Sequence, residues 1–383
     1  MLPLHTRDAP TPRTFHLPRE RPAVAGSAIA FPPHRYSQKR LARAAARVVP
    51  GFERREGFLE RFFARVGVEE RHLALEPDAY AALDGMQARN DAWIEHATAL
   101  GERCLRAVLD EAGVAAEEVG QLTTTTVTGL AVPSLDARLM NRLPLSRSLK
   151  RVPLFGLGCL GGAAGLARTA EYLRAFPDQV AVLLAVELCS LTLQRQDVSM
   201  ANIIASGLFG DGAAAVLLAG AEHPLARRAP LGDAGAPPAG RPRVVDSRSV
   251  FFDDTERVMG WDVVDGGFSV VLSPDVPDLV RREVPPAVDA FLDDHGLTRD
   301  DVATWVSHPG GPAVMDALEE GLELSADALA PSRRALAEVG NLSSASVLQL
   351  LDEHRRRRPP PGAPGLMLAM GPAFCAELVL LRW

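Results

Sequence analysis

Two stretches of this chain decide its fold: LDEAGVAAEEVGQLTTT, Leu109 to Thr125, and LDDHGLTRDDVATWVSH, Leu292 to His308. They align without a gap. Each reads as a helix end, a glycine suited to a left-handed C-cap, an acidic turn and a β-rich strand. A second pair follows in the same order and at nearly the same offset: GCLGGAAGLARTAEYL, Gly158 to Leu173, and GNLSSASVLQLLDEH, Gly340 to His354. Each is a small-residue turn that opens an amphipathic helix. A third pair closes each half, LFGDGAAAVLLAG (Leu208 to Gly220) and MGPAFCAELVLLRW (Met370 to Trp383), both a glycine turn and then a buried strand. Chance likeness between Ala- and Leu-rich segments would not keep that order. The pattern predicts an α/β fold from two duplicated modules, residues 23–220 and 244–383, facing each other. Residues 1–22 read as a flexible tail. Residues 221–243, rich in Pro, Gly and Ala, read as a linker or surface loop.

Composition agrees with a large α/β core. The chain has 383 residues, 47% of them hydrophobic and only 5% aromatic, which suits helix-on-sheet layers. A net charge of −7 and a pI near 5.8 argue against a general nucleic-acid surface. The run Arg355 to Arg358 ends a helix before Pro359, where cations complement the helix dipole. No apolar run reaches the roughly 18 residues of a membrane helix. The N-terminus lacks the apolar core of a signal peptide. The four cysteines form no C-x-x-C pair, and the histidines show no metal spacing. Neither metal nor cofactor is expected, and free thiols suit the cytoplasm.

Three turns carry candidate chemistry. In FGLGCLGGAAG, Phe155 to Gly165, Cys159 lies between a strand and a helix N-terminus, where free N–H groups and the dipole favour a thiolate. The bland alternative is a structural core thiol. In WVSHPGGPAV, His308 ends a strand and faces the ligand crevice of an open sheet. The alternative is a capping or core histidine. In VGNLSSASV, Asn341 precedes a helix, a place where Asn is also an ordinary cap. The duplication sets Cys159 and Asn341 at matching positions of the two halves. A Cys, a His and an Asn at strand-to-helix turns make an acyl-transfer set. The His takes the thiol proton. His and Asn then donate to a thioester carbonyl, and decarboxylation of a malonyl thioester supplies the carbanion without a carboxylate base.

With these motifs in place, the chain resembles the type III polyketide synthases, the chalcone synthase-like enzymes of the thiolase-fold superfamily. The likeness runs from about Ala23 to Trp383 and is specific at Cys159, at HPGGPA (His308 to Ala313), at GNLSSASV (Gly340 to Val347) and at LFGDGAAAV (Leu208 to Val216). It implies a homodimer with five αβαβα layers, fed by an acyl-CoA starter and malonyl-CoA. It implies Cys159 as acyl carrier, with His308 and Asn341 driving decarboxylation. By the same resemblance Phe209 is the gatekeeper between coenzyme tunnel and cavity, while Thr192, Cys189, Ser343 and Phe268 line the cavity. Val132 crosses into the neighbouring subunit's cavity. Arg61 and Arg65, four apart on one helix face, meet coenzyme A phosphates, and Ala313 meets the pantetheine arm. The C-terminal loop, commonly G-F-G-P-G, here reads Ala369-Met370-Gly371-Pro372-Ala373, so a positive φ at Ala373 would strain it. RHLALEPDAY, NDAWIEHA and VELCSLTLQ are similar to bacterial members that use fatty acyl starters and make alkylpyrones or alkylresorcinols. The expected reaction is iterative decarboxylative condensation and closure to a pyrone or a resorcinol-like ring. A single-condensation ketoacyl synthase III type, using an acyl carrier protein, is the nearest alternative. It usually carries H-Q-A-N where this chain has HPGG. A cysteine thioesterase lacks an evident water-positioning base, and a non-catalytic dimer would not need all three residues.

Overall fold

The structure, a computed structural model, describes residues 21–48, 56–227 and 240–383. Most of the expected tail, and residues 228–239 of the expected linker, lie outside them. In chain order the strands are β1 (Ala23–Ala30), β2 (His34–Ser37), β3 (Glu70–Leu73), β4 (Val119–Thr126), β5 (Lys150–Phe155), β6 (Val180–Leu188), β7 (Asp211–Ala219), β8 (Arg243–Phe251), β9 (Met259–Val264), β10 (Gly267–Leu272), β11 (Thr304–Ser307), β12 (Pro364–Gly371) and β13 (Cys375–Arg382). Among the described residues, nine of these form one sheet in the order β11-β12-β13-β8-β1-β7-β6-β4-β5.

The duplication is written into that order. In the first half β4 runs parallel to β6, β6 antiparallel to β7, and β7 antiparallel to β1. In the second half β11 runs parallel to β12, β12 antiparallel to β13, and β13 antiparallel to β8. The approach to each first parallel strand also repeats. The helix Gly85–Ala112 ends at Gly113 and the helix Val276–Asp293 is followed by Gly296, both glycines at positive φ. Each is followed by a 3-10 turn in which an acidic side chain, Glu118 or Asp301, accepts from the turn's first N–H at 2.8 Å. The halves join where β1 meets β8, through Ala23 opposite Arg243 and reciprocal bonds from Val24 N to the Pro242 carbonyl and Val244 N to the Pro22 carbonyl.

Alternation along the strands builds five layers. On β6, Val180, Val182, Leu184 and Val186 pack on the outer helix Gly85–Ala112, while Ala181, Leu183 and Ala185 face the central helices Gly161–Ala175 and Ser344–Arg357. On β13, Val379 and Leu381 face the same central helices, while Leu378 and Leu380 face the outer helices Val276–Asp293 and Pro312–Leu322. A strand covered on both faces becomes a continuous apolar run, as VAVLLAV is. The fold is thus the expected αβαβα arrangement. Among the described residues no helix is long and apolar enough to cross a membrane.

The central helices meet very closely. A Cβ added at Gly162 would stand 2.2 Å from the Ser344 carbonyl oxygen and 2.8 Å from Val347 Cγ1. One end of the second helix departs from expectation. Arg355 is not a solvated cation of the last turn but is buried, donating to the Gly240 carbonyl at 3.0 Å and to Ser27, with Glu111 3.6 Å away. Gly162→Ala is expected to destabilise the protein by about 1–3 kcal/mol, since the helices must part to admit a methyl group. Denaturant unfolding of the purified variant measures this, and an unchanged midpoint would contradict the close approach.

Candidate active site

The two central helices deliver the key turns. Strand β5 ends at Phe155, and Cys159 sits in a 3-10 turn, Gly158–Leu160, just before the helix Gly161–Ala175. Gly158 takes φ 52°, and a Cβ there would collide with Pro372 Cδ at 2.5 Å, so the glycine is required on two counts. Asn341 precedes the helix Ser344–Arg357. Its backbone is clamped, with its N–H on the Leu208 carbonyl and its carbonyl on Gly210 N–H, both at 2.9 Å. His308 follows β11, and its N–H donates to the Leu368 carbonyl of β12 at 2.9 Å.

Cys159, His308 and Asn341 line one cavity, together with Ser343, Phe209 and Pro372. Asn341 Nδ2 lies 3.4 Å from His308 Nε2. The amide orientation follows from Ser343 N–H, which donates to Asn341 Oδ1 at 2.7 Å and leaves Nδ2 as the group facing the imidazole. Cys159 Sγ donates to Ser343 Oγ at 3.6 Å. Ser343 has φ 50° and ψ −127°, a strained conformation for a residue with a Cβ. Such strain costs about 1–3 kcal/mol and is held by the surrounding bonds.

The electrostatics correct one expectation. Burial pushes the Cys159 thiol up to about 12, with the nearby Glu187 carboxyl adding to it and hydrogen bonds from Ser343 and Asn341 opposing it. Burial likewise pushes the His308 imidazole down to about 3. A lone thiolate and a lone imidazolium are each disfavoured here. Either charge would need an opposite charge beside it to form in this water-poor cavity. A hydrogen on Nε2 would stand beside Asn341 Nδ2. An oxygen about 2.9 Å from both nitrogens then completes an oxyanion site.

Other expected positions divide. Cys189 and Phe209 line the catalytic cavity and also a neighbouring one, whereas Thr192 lines only the neighbour and donates to the Cys189 carbonyl at 2.8 Å. Phe268 is a correction. It is buried against Phe155 and Trp261, ring centroids 6.4 Å from each, and does not line the cavity. It shares a face of β10 with Val270 and Leu272 but sits further back along the strand, and the wall is made by Val270, Val271 and Leu272 with Trp261 opposite Val270. Gly371 does not line the cavity but backs the nucleophile turn, its Cβ position 2.5 Å from the Leu157 carbonyl oxygen. Ala373 does take a positive φ, 56°, and is held there by its N–H on the Met259 carbonyl at 3.2 Å and by Thr255 Oγ1 on its own carbonyl at 2.6 Å. Arg61 and Arg65 do not share a helix face, because the helix Glu56–Phe63 ends between them and Arg65 lies in the following turn. Both are exposed, as is Ala313. Val132 is 98% exposed and does not line the cavity that holds Cys159.

One buried carboxyl escaped the sequence reading. Glu187 on β6 accepts from Ser344 Oγ at 2.5 Å, Thr128 Oγ1 at 2.9 Å, Val127 N at 3.1 Å and Thr126 Oγ1 at 3.2 Å. Burial pushes it up to about 7. The signal was present as the single acidic residue in the apolar run VAVLLAVEL.

Comparison with known proteins identifies the family. Residues 66–223 match the chalcone and stilbene synthase N-terminal domain, and residues 243–383 match the C-terminal domain of the same family. The chain belongs to the chalcone and stilbene synthase family and is a type III polyketide synthase, an acyltransferase of decarboxylating Claisen condensation. It is 49% identical over 364 residues to a 1,3,6,8-tetrahydroxynaphthalene synthase of Streptomyces peucetius subsp. caesius, covering 94% of this chain and 93% of the relative. It is 38% identical to a putative chalcone synthase of Bacillus subtilis (strain 168), covering 82% and 86%. Among solved structures it superposes on a polyketide synthase of the brown alga Ectocarpus siliculosus with a TM-score of 0.86, at 28% identity, covering 96% of this chain and 100% of that one.

This need for an opposite charge predicts how the nucleophile responds to pH. An imidazolium partner stabilises the thiolate and lowers its titration midpoint, so removing it in His308→Ala should move the midpoint upward, toward the value that burial sets. The rate of Cys159 carbamidomethylation against pH measures this. A midpoint unchanged or lowered in the variant would contradict the pairing.

Proposed function

We propose that this enzyme starts and extends its chain with malonyl-CoA alone and releases a small polyhydroxylated aromatic, 1,3,6,8-tetrahydroxynaphthalene or a close relative. The observation that carries this reading is the 49% identity, over nearly the whole chain, to a synthase named for that product. Two further relatives carry the same name, at 30% identity in Streptomyces coelicolor and 28% in Streptomyces griseus. The oxygens of that naphthalene sit on alternate carbons, as in a folded chain of two-carbon ketide units. No part of the skeleton requires a fatty acyl group.

In this reading Cys159 carries the acyl chain as a thioester. During loading His308 takes the thiol proton, the Cys159 thiolate attacks the starter carbonyl, and the bond to coenzyme A breaks with CoA leaving as its thiolate. The His308 Nε2–H and Asn341 Nδ2 then hold the carbonyl oxygen of malonyl-CoA. When the carboxylate carbon leaves as carbon dioxide, the electron pair of the broken bond forms an enolate, and its negative oxygen sits between the two donors. The enolate carbon attacks the Cys159 thioester, a carbon–carbon bond forms, and the Cys159 thiolate leaves. Phe209, shared by both cavities, guards the entry. Gly67 supports the coenzyme assignment, since its Cβ position lies 3.1 Å from Pro312 Cγ and sets the Arg65 turn beside the start of the helix bearing Ala313. Arg61 and Arg65 at that rim would meet phosphates and Ala313 the pantetheine arm. Exposed Leu130, Val132 and Phe155 support a homodimer in which Val132 reaches the partner's cavity. We place the enzyme in the cytoplasm, where free thiols persist.

Labelled malonyl-CoA given alone to the purified enzyme should yield labelled carbon dioxide and tetrahydroxynaphthalene by mass spectrometry, and free acid with CoA as the sole products would refute condensation. Cys159→Ala should lose acyl loading yet decarboxylate. His308→Ala and Asn341→Ala should slow decarboxylation by about 100-fold or more. Normal decarboxylation in either would remove its assigned role. Sedimentation should show a dimer, and a monomer at micromolar concentration would overturn the shared cavity.

A further inference from the structure

The catalytic cavity has a neighbour. A second chamber lies beside it, walled mainly by Leu41, Ala44, Phe63, Leu73, Tyr80 and Leu193. Three residues line both spaces, Cys189, Phe209 and Trp261, and these form the partition between them. Two of the three are fixed from behind. Cys189 is buried in the turn that follows β6. The Phe209 carbonyl accepts from the Arg71 guanidinium at 2.6 Å, and the residues on either side of Phe209 are the ones bonded to Asn341.

Trp261 is different. It stands on β9, half-buried, in a two-stranded hairpin with β10 that pairs with no strand of the large sheet. The hairpin backbone is nonetheless well anchored. Gln194 Nε2 donates to the Phe268 carbonyl at 3.0 Å and to the Gly266 carbonyl at 3.3 Å, and Ala373 N–H donates to the Met259 carbonyl. The indole is therefore the part of the partition that can be removed without shifting Cys159, His308 or Asn341.

We propose that Trp261 is a specificity-determining residue. Its indole closes the second chamber to the acyl chain on Cys159 and so confines the enzyme to short starters. The proposal rests on the malonyl-only reading above. With the indole gone, an alkyl tail attached at Cys159 gains an opening into a chamber whose walls are largely apolar, and burial of each methylene there favours longer chains.

The test compares wild type, Trp261→Ala and Trp261→Phe with malonyl-CoA as extender and a starter series of acetyl-, hexanoyl- and dodecanoyl-CoA. In Trp261→Ala the ratio of kcat/KM for dodecanoyl-CoA over acetyl-CoA should rise at least about tenfold. Trp261→Phe should fall between the two, and measurable malonyl-CoA decarboxylation in each variant shows that the folded site is intact. An unchanged starter ratio in a variant that still decarboxylates overturns the proposal. Should the alanine variant fail to fold, Trp261→Phe and Trp261→Leu are read by the same ratio and the same criterion. The two readings fail separately. A wild-type enzyme that makes no naphthalene product from malonyl-CoA alone defeats the malonyl-only reading, whereas the starter ratio alone judges Trp261.

Discussion

The contact between the two central helices is the constraint on which the site depends. Gly162 of one helix lies against the Ser344 carbonyl of the other, closer than any side chain would allow. Each helix begins at a turn that carries chemistry, so this approach is what brings the Cys159 turn to the Ser343 hydroxyl and the Asn341 amide. The same packing buries Glu187, which bonds Ser344 on the second helix and the Thr126–Thr128 loop beyond β4. A single small residue thus links the sheet halves, the helix pair and the nucleophile.

Burial around this contact has two consequences. Backbone bonds hold Asn341 and Ser343 in place, and Ser343 is kept at a positive φ that an isolated chain would leave. The water-poor environment also keeps thiol and imidazole neutral when taken singly. In the proposed reaction a substrate oxygen that turns negative would meet the imidazole and the amide.

Much of this was legible in the chain. The ungapped pairing of Leu109–Thr125 with Leu292–His308 anticipated the repeated strand order, because a helix, its glycine cap and an acidic turn are local features that sequence records directly. The three glycine-rich turns were legible for the same reason. The cavity walls were not. Phe268 fell short of the cavity because it lies one step of the pleat further along the face of Val270 and Leu272, buried against Phe155 and Trp261, and where a strand passes a cavity is not written in a short apolar run. Arg61 and Arg65 lost their common face because a helix ended two residues early. Arg355 turned inward to meet Glu111 and Ser27, partners far away along the chain.

By itself the sequence determined the α/β class, the duplication, and which Cys, His and Asn stand at helix-opening turns. These depend on local periodicity and on residues such as glycine whose backbone freedom has few substitutes. Only the tertiary structure decided that Cys159 and His308 share a water-poor cavity that disfavours either charge alone, that Glu187 is buried beside it, and that Trp261 rather than Phe268 walls it. Those properties depend on solvent exclusion and on distances between segments remote in sequence, which exist only once the two halves close on each other.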